Sequence, residues 1–232
     1  MKRIVALVYS PDFNESNYGP LCKFRPDYML PFGGRYRIID FALSNLANYD
    51  INRVILYAGS KLRSTLDHVG NGKSWELNRR NGGLMINPVG LASKGPRSEV
   101  ETYYDTIVYF QEHDFEYVYI KNPMYIIKED IGDAMEKMKE EDIDCLILSN
   151  KTVDKDGEYL NQSIINSDDS GKPTGVGINL GITDTVDLFL GSLLMKKEAF
   201  LKVLRHAMPV SYTHLTLPTT ARRCRSRWSP YH

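Results

Sequence analysis

Cysteine is scarce: Cys22, Cys145 and Cys224 are the only three in 232 residues, and no two lie close enough for a C-x-x-C pair. That spacing suggests neither a zinc ligand set nor a disulfide framework, and a reduced, cytoplasmic setting fits best. An excess of either charge is lacking too. The 29 basic residues meet 29 acidic ones, so the total calls for neither nucleic acid nor an anionic membrane as partner. Long apolar runs are missing. The run Ile4 to Tyr9 is too short for a signal-peptide core and has no small-residue cleavage site behind it, and nothing approaches the roughly 18 apolar residues of a membrane helix. There is no internal repeat or low-complexity tract. The 15 tyrosines are scattered without interleaved basic residues, unlike a nucleic-acid surface.

What is present suits one domain. A 232-residue chain that is 42% hydrophobic can bury one sizeable core and is short for two. The balance of charge hides an uneven end: residues 210–232 hold four arginines and no acid, and without those four the body has 25 basic residues against 29 acidic. Beyond the helix expected at Lys196 to Ala207, the chain breaks at Pro209 into a stretch without periodicity. We read residues 1–208 as the domain, though an incomplete one. Residues 209–232 read as a non-native or disordered tail, such as translated vector sequence, the other reading being a native basic tail for an acidic partner.

Short apolar runs alternate with amphipathic stretches along the body. Ile4 to Tyr9, Arg53 to Ala58, Tyr117 to Ile120 and Cys145 to Leu148 have the unbroken apolar character of strands buried on both faces. Helices are expected from Asp40 to Asn48, Lys61 to Val69, Ser98 to His113 and Lys128 to Glu141. Gly70 to Pro88 reads as a glycine-rich loop, and Asp154 to Gly175 as a polar hairpin or irregular excursion. Such alternation predicts an α/β fold, a mostly parallel sheet covered by helices on both faces, because parallel neighbours need crossover connections. Ligands of such sheets bind beyond the carboxyl ends of the strands, and the loop after Tyr9 is the first such place.

The stretch Pro31 to Asn45, PFGGRYRIIDFALSN, stands out. Gly33 and Gly34 can take positive φ or admit a close neighbour, Arg35 and Arg37 follow, and Asp40 is an N-cap candidate for the helix. Read from these residues alone, it is either a helix entry with solvated arginines or an anion-binding turn. The whole string closely resembles the PFGGKYRIIDFALSN signature of the glucose-1-phosphate adenylyltransferases, the ADP-glucose pyrophosphorylases of glycogen and starch synthesis. A second string, Gly70 to Gly83, GNGKSWELNRRNGG, is similar to that family's G-x-G-K-P-W-D-L-D-R-x-x-G-G, and Asp67-His68 precede it as in the family. In this reading Gly82 and Gly83, like Gly33, Gly34 and Asp40, are loop framework. His68 sits in a structural loop, and Trp75 with Leu77 folds its loop onto the domain or a neighbouring subunit. The resemblance implies a Rossmann-like nucleotidyltransferase domain, here truncated before a C-terminal left-handed parallel β-helix.

It also implies where the chemistry should be. Nucleotidyl transfer needs a backbone cradle for phosphates, cationic charge on the leaving pyrophosphate and carboxylates for a divalent metal. Where the family has a G-G-x-G-T-R-L cradle, this chain has Ser10 to Gly19, with Asp12, Phe13 and Glu15 among the glycine positions and Asn17 in place of the arginine. Asp27 stands where the family has a lysine. Pro123, in Lys121-Asn122-Pro123-Met124-Tyr125, is read as replacing the metal-binding aspartate of G-D-H-I-Y. Ser98-Glu99-Val100-Glu101-Thr102 replaces Gly-Thr-Ala-Asp-Ala, and Gly175 to Gly181 lacks the sugar-contacting lysine of E-K-P.

Several elements of one site change together while the framework matches, which resembles the regulatory, catalytically degenerate subunit that some bacteria pair with a catalytic adenylyltransferase. The expectation is therefore no catalytic residue, no metal and no cofactor in this subunit. A catalytic partner in a hetero-oligomer, a tetramer, is expected, with neither nucleic acid nor membrane. A sugar-phosphate effector would be held at Arg35, Arg37 and Arg25, although Arg37 and Arg25 could instead pair with Asp40 or Asp27. The alternative is an active enzyme using Mg²⁺ and ATP on glucose 1-phosphate. A third reading, a fragment that is neither, stays open.

Overall fold

Residues 4–9 alternate their side chains between two cores. Ile4, Ala6 and Val8 enter one and Val5, Leu7 and Tyr9 the other, as a strand covered on both faces requires. The computed structural model describes residues 3–10, 12–59, 61–79, 82–89, 98–169, 172–207 and 221–223, and for 12–16 and 221–223 the backbone alone. The first strand is β1, Ile4–Tyr9. Two segments of 3-10 character, Asp12–Cys22 and Asp27–Met29, lead to a short hairpin of two-residue strands, β2, Pro31–Phe32, and β3, Tyr36–Arg37. Next come α1, Ile38–Asn48, β4, Arg53–Ala58, α2, Leu62–Val69, and β5, Gly83–Pro88. The second half holds α3, Glu99–Tyr104, α4, Ile107–Glu112, β6, Tyr117–Lys121, α5, Ile131–Glu140, and β7, Cys145–Val153. It closes with β8, Ser163–Ser167, β9, Pro173–Ile178, β10, Thr185–Lys196, α6, Lys197–Ala207, and β11, Ala221–Arg223.

Nine of the described strands form one sheet, in the order β11-β7-β10-β6-β1-β4-β5, with the β8–β9 hairpin attached to β10. β6, β1, β4 and β5 are parallel to one another, and β10 runs antiparallel to both β6 and β7. The expected α/β class, a mostly parallel sheet at its centre with helices on both faces, is therefore present. On one face α1, α5 and the end of α2 cover Ile4, Leu56, Tyr119 and Leu146. On the other α3, α4 and α6 cover Leu7, Tyr57, Val118 and Ile147.

Several boundaries differ from the sequence expectation. The region 70–88 is not loop throughout: its last six residues are β5, paired in parallel with β4. Gly82 stays in the loop as expected, whereas Gly83 opens the strand. Both take positive φ, and a Cβ there would stand 2.8 Å from the Asn52 carbonyl oxygen and 2.7 Å from that of Leu77, respectively. The helix expected over Ser98 to His113 is two, broken at Asp105 and Thr106, where Tyr57 Oη and Thr106 Oγ1 hydrogen-bond at 2.5 Å. Its start is capped reciprocally by Ser98 and Glu101. Asp154 to Gly175 does contain hairpin strand. Most of the tail from 209 onward lies outside the described residues, as does Cys224; Ala221–Arg223 pairs with β7 at the sheet edge. Cys22 and Cys145 are buried and form no disulfide among the described residues, and no described helix is long and apolar enough to cross a membrane.

Candidate functional site

The carboxyl end of β1 is where a nucleotide cradle would open. Ser10, at that tip, donates its hydroxyl to Asp27 Oδ2 at 2.7 Å, and the Tyr28 backbone N–H donates to Asp27 Oδ1, also at 2.7 Å. Asp27 is 1% exposed. Tyr28 carries the tie onward, its hydroxyl 3.1 Å from Thr65 Oγ1 on α2. A carboxylate that needs solvation or hydrogen bonds thus receives them from the fold, at a position where phosphate binding would want a cation. Asn17 is exposed. The side chains of Asp12, Phe13 and Glu15 lie outside what the structure describes.

The two-glycine stretch makes the β2–β3 turn. Gly33 and Gly34 have φ of 60° and 87°, and no atom lies within 4 Å of a Cβ built on either; the glycines serve backbone shape and not close approach. Arg35, exposed, lies over the Tyr36 ring at 5.4 Å, and Phe32 and Tyr36 meet Phe41 edge-on at 5.5 and 5.9 Å. The Ile38 N–H donates to the Leu30 carbonyl at 3.2 Å, so the two ends of the hairpin are held together. Arg25 and Arg37 are half-buried. Among the described residues none of these three arginines forms an ion pair with a carboxylate.

Asp40 is not the N-cap. The helix begins at Ile38 with Arg37 as N-cap, which puts Asp40 at the third helical position, its Oδ2 accepting the Arg37 backbone N–H at 2.9 Å. This is half of a capping box, because an arginine side chain has no acceptor to return. The bond from Arg37 to Asp40 is therefore made by the main chain. Oδ1 of the same carboxylate lies 2.6 Å from His68 Nε2, and His68 meets Trp75 edge-on at 6.4 Å. His68 lies in the last turn of α2 and not in a loop. Trp75 packs half-buried against the core and Leu77 is buried, as expected of apolar residues in a polar loop.

The third element follows β6. Set against G-D-H-I-Y one position at a time, Asn122 stands opposite the aspartate and Pro123 opposite the histidine, so the substitution sits one residue earlier and still removes the carboxylate. Asn122 Oδ1 accepts the Met124 N–H at 2.9 Å, and the Asn122 N–H donates to the Gly191 carbonyl at 2.7 Å. Pro123 is buried. With one side-chain oxygen already committed and a proline beside it, this turn does not fit an octahedral, oxygen-hungry Mg²⁺. No group of three or more His, Cys, Asp or Glu able to hold a metal occurs among the described residues.

Directly before that turn lies a buried ion pair that the sequence reading did not include. Lys121 Nζ donates to Glu129 Oε1 at 2.9 Å and to Ser192 Oγ at 3.2 Å, and Tyr119 donates its hydroxyl to Glu129 Oε2. Burial lowers the Lys121 pKa, opposed by the neighbouring Glu129, and burial raises that of Tyr119. A lysine at the inner end of an apolar strand was the one available signal, because such a charge must find a partner. In the last element, Asn179 is buried with its Nδ2 donating to Asp154 Oδ2 at 2.7 Å, which makes residues 175–181 the end of a braced hairpin.

No protein-family model matches the chain. It is similar to the glucose-1-phosphate adenylyltransferase of Clostridium perfringens (strain SM101 / Type A), 35% identical over 149 residues, which are 63% of this chain and 38% of that protein. It is also similar to the glycogen biosynthesis protein GlgD of Geobacillus stearothermophilus, 45% identical over 69 residues, 30% of this chain and 20% of that one. The GlgD of Bacillus subtilis (strain 168) is 49% identical over 59 residues, 25% and 17% of the two chains. The chain thus spans less than two-fifths of the curated relatives it matches. Among solved structures, a Bacillus anthracis protein assigned as a glucose-1-phosphate thymidylyltransferase, crystallised with sucrose, superposes with a TM-score of 0.71 at 13% identity, covering 97% of this chain and 86% of its own. The resemblance read from the two glycine-bearing strings therefore holds: this chain is similar in sequence to glucose-1-phosphate adenylyltransferases and GlgD glycogen biosynthesis proteins, and it shares its Rossmann-like α/β fold with the Bacillus anthracis structure.

Proposed function

We propose that this chain is part of a non-catalytic, regulatory subunit of glucose-1-phosphate adenylyltransferase, which modulates ADP-glucose formation by a catalytic partner in a cytoplasmic hetero-oligomer. The observation that carries this reading is Asp27. A buried carboxylate bonded to Ser10 at the tip of β1 occupies the place of a lysine that would meet phosphate, and reversing that sign costs on the order of several kcal/mol in a partly desolvated site. The Asn122–Pro123 turn, without a carboxylate to give a metal, supports it. Arg35, exposed and without an ion pair among the described residues, is available to an anionic effector.

The test is pyrophosphate release from ATP, Mg²⁺ and glucose 1-phosphate by the protein alone and mixed with a catalytic adenylyltransferase. Background turnover alone, with co-purification and an altered effector response in the mixture, is expected. ADP-glucose made by the pure protein would overturn the proposal. That active-enzyme reading has one observation in its favour, the 149-residue alignment to an adenylyltransferase, longer than either GlgD match described above.

A further inference from the structure

At the opposite end of the sheet from the β1 tip, a cleft of about 300 Å³ opens between the last turn of α1 and the 74–79 loop. Its walls include Asn48, Asp50, Asn52, Trp75, Glu76 and Arg79. The cleft lies at the amino end of β4, since Asn52 immediately precedes that strand, and so it is separate from any nucleotide chemistry at the carboxyl ends. Asn52 is 5% exposed, yet its Nδ2 has no hydrogen-bond partner among the described residues. A buried amide donor left unmade is costly, and a ligand acceptor that reached it would recover that loss.

The chemistry of the walls narrows the ligand. Two carboxylates, Asp50 and Glu76, face one guanidinium, and Arg79 is already turned to Glu76, with Nη2 3.4 Å from Oε2 and Nε donating to the Glu76 carbonyl at 3.1 Å. The remaining charge is negative, which disfavours phosphates and other anions. Amides and carboxylates side by side offer paired donors and acceptors, the arrangement that vicinal hydroxyls satisfy, and an indole supplies an apolar surface for the C–H faces of a ring. A volume at the low end of small-molecule clefts, which run from about 300 to 1,000 Å³, suits one or two rings. We infer that this cleft binds a neutral hexose unit, free or at the end of an oligosaccharide, with Asn52 as the buried donor and Trp75 as the apolar wall.

The test is two-dimensional NMR of the ¹⁵N-labelled full chain titrated with glucose, with maltotriose and with glucose 6-phosphate. The Asn52 side-chain amide and Trp75 indole signals should move with the neutral sugars at millimolar affinity, and more weakly with the phosphate. Asn52→Asp, which replaces the donor by an acceptor of the same shape, and Trp75→Ala should each weaken binding by about tenfold. Glu76→Gln, at an exposed residue, tests the same wall without disturbing the core and should cost about threefold. Stationary signals up to about 20 mM maltotriose, equal affinity in all three variants, or tighter binding of the phosphate sugar would each overturn the inference.

Discussion

His68 Nε2 stands 2.6 Å from Asp40 Oδ1, which joins the end of α2 to the first turn of α1. Through that contact the two strings that resemble the adenylyltransferases meet in space: PFGGRYRIIDFALSN contributes the carboxylate, and the Asp-His pair ahead of GNGKSWELNRRNGG contributes the imidazole. The carboxylate does two tasks, since its other oxygen holds the Arg37 N–H at 2.9 Å. Both side chains are largely buried, Asp40 at 12% and His68 at 23% side-chain exposure, so water is a poor substitute for either partner.

Asp40→Ala should therefore cost more than His68→Ala, roughly 2–3 kcal/mol against about 1, because it strands a helix N–H and an imidazole together. The double variant should show coupling of about 1 kcal/mol. Urea midpoints of the four proteins measure it, and strict additivity would mean that the contact contributes nothing.

Lys121 and Glu129 form a pair with almost no exposure, 2% and 0% of their side chains. Glu129→Gln leaves the ammonium without its counter-charge and should destabilise by about 3–5 kcal/mol, whereas Lys121→Met combined with Glu129→Leu should recover most of that. The comparison is made by chemical denaturation. A double variant no better than the single would show that the pair is held by its geometry with Ser192 and Tyr119 and not by charge.

Gly191 interrupts β10 with φ of +63°, and a Cβ there would stand 2.7 Å from both Asn122 Cβ and the Tyr125 ring. Gly191→Ala should destabilise by roughly 2 kcal/mol or more and shift the 122–125 turn. Thermal melting reads the first effect, and amide exchange at Asn122 the second. A variant as stable as the parent would show that the turn yields freely.

Stability should fall in alkali. Burial raises the Cys145 thiol from an ordinary value near 9 up to about 12, and burial holds the phenols of Tyr57, Tyr103 and Tyr119 above their usual value of 10. These groups keep their protons in the fold while the unfolded chain loses them, so their contribution is complete below pH 9 and is lost as pH rises through the folded values. Lys121, lowered by burial, works in the opposite direction between its folded value and 10.5, one group against four. Denaturant midpoints between neutrality and strong alkali, followed alongside phenolate absorbance, should decline from about pH 9. A flat profile would show that those sites admit water.

Arg35→Ala should leave stability within about 0.5 kcal/mol, since the side chain is exposed and its ring contact is to its own neighbour. Calorimetry with fructose 1,6-bisphosphate should show binding weakened about tenfold. Unchanged affinity would remove Arg35 from the effector site.

The strands buried on both faces were legible, because a continuous apolar run such as Ile4 to Tyr9 or Arg53 to Ala58 has few other fates. β5 was not, because Gly82 and Gly83 look like punctuation until β4 lies alongside to be paired. β10 escaped for a related reason: Asp187 and Ser192 interrupt its apolar pattern, and its register shifts between Phe189 and Leu193, beside Gly191. The break between α3 and α4 depends on Tyr57, some fifty residues away, reaching Thr106. In the candidate site, the charge of Asp27 could be read directly, whereas its burial against Ser10 could not.

Residue order alone thus carried the class of fold, the kinship and the sign of charge at each expected contact, since periodicity and side-chain chemistry are local properties. Which carboxylates stand in water and which are sealed inside came from packing between distant segments. Asp27 turns inward because Ser10 and the Tyr28 amide satisfy it there, and Lys121 is tolerated because Glu129 arrives from the following turn. A buried charge takes its meaning from its partners, and partners brought together across the chain leave no trace in spacing.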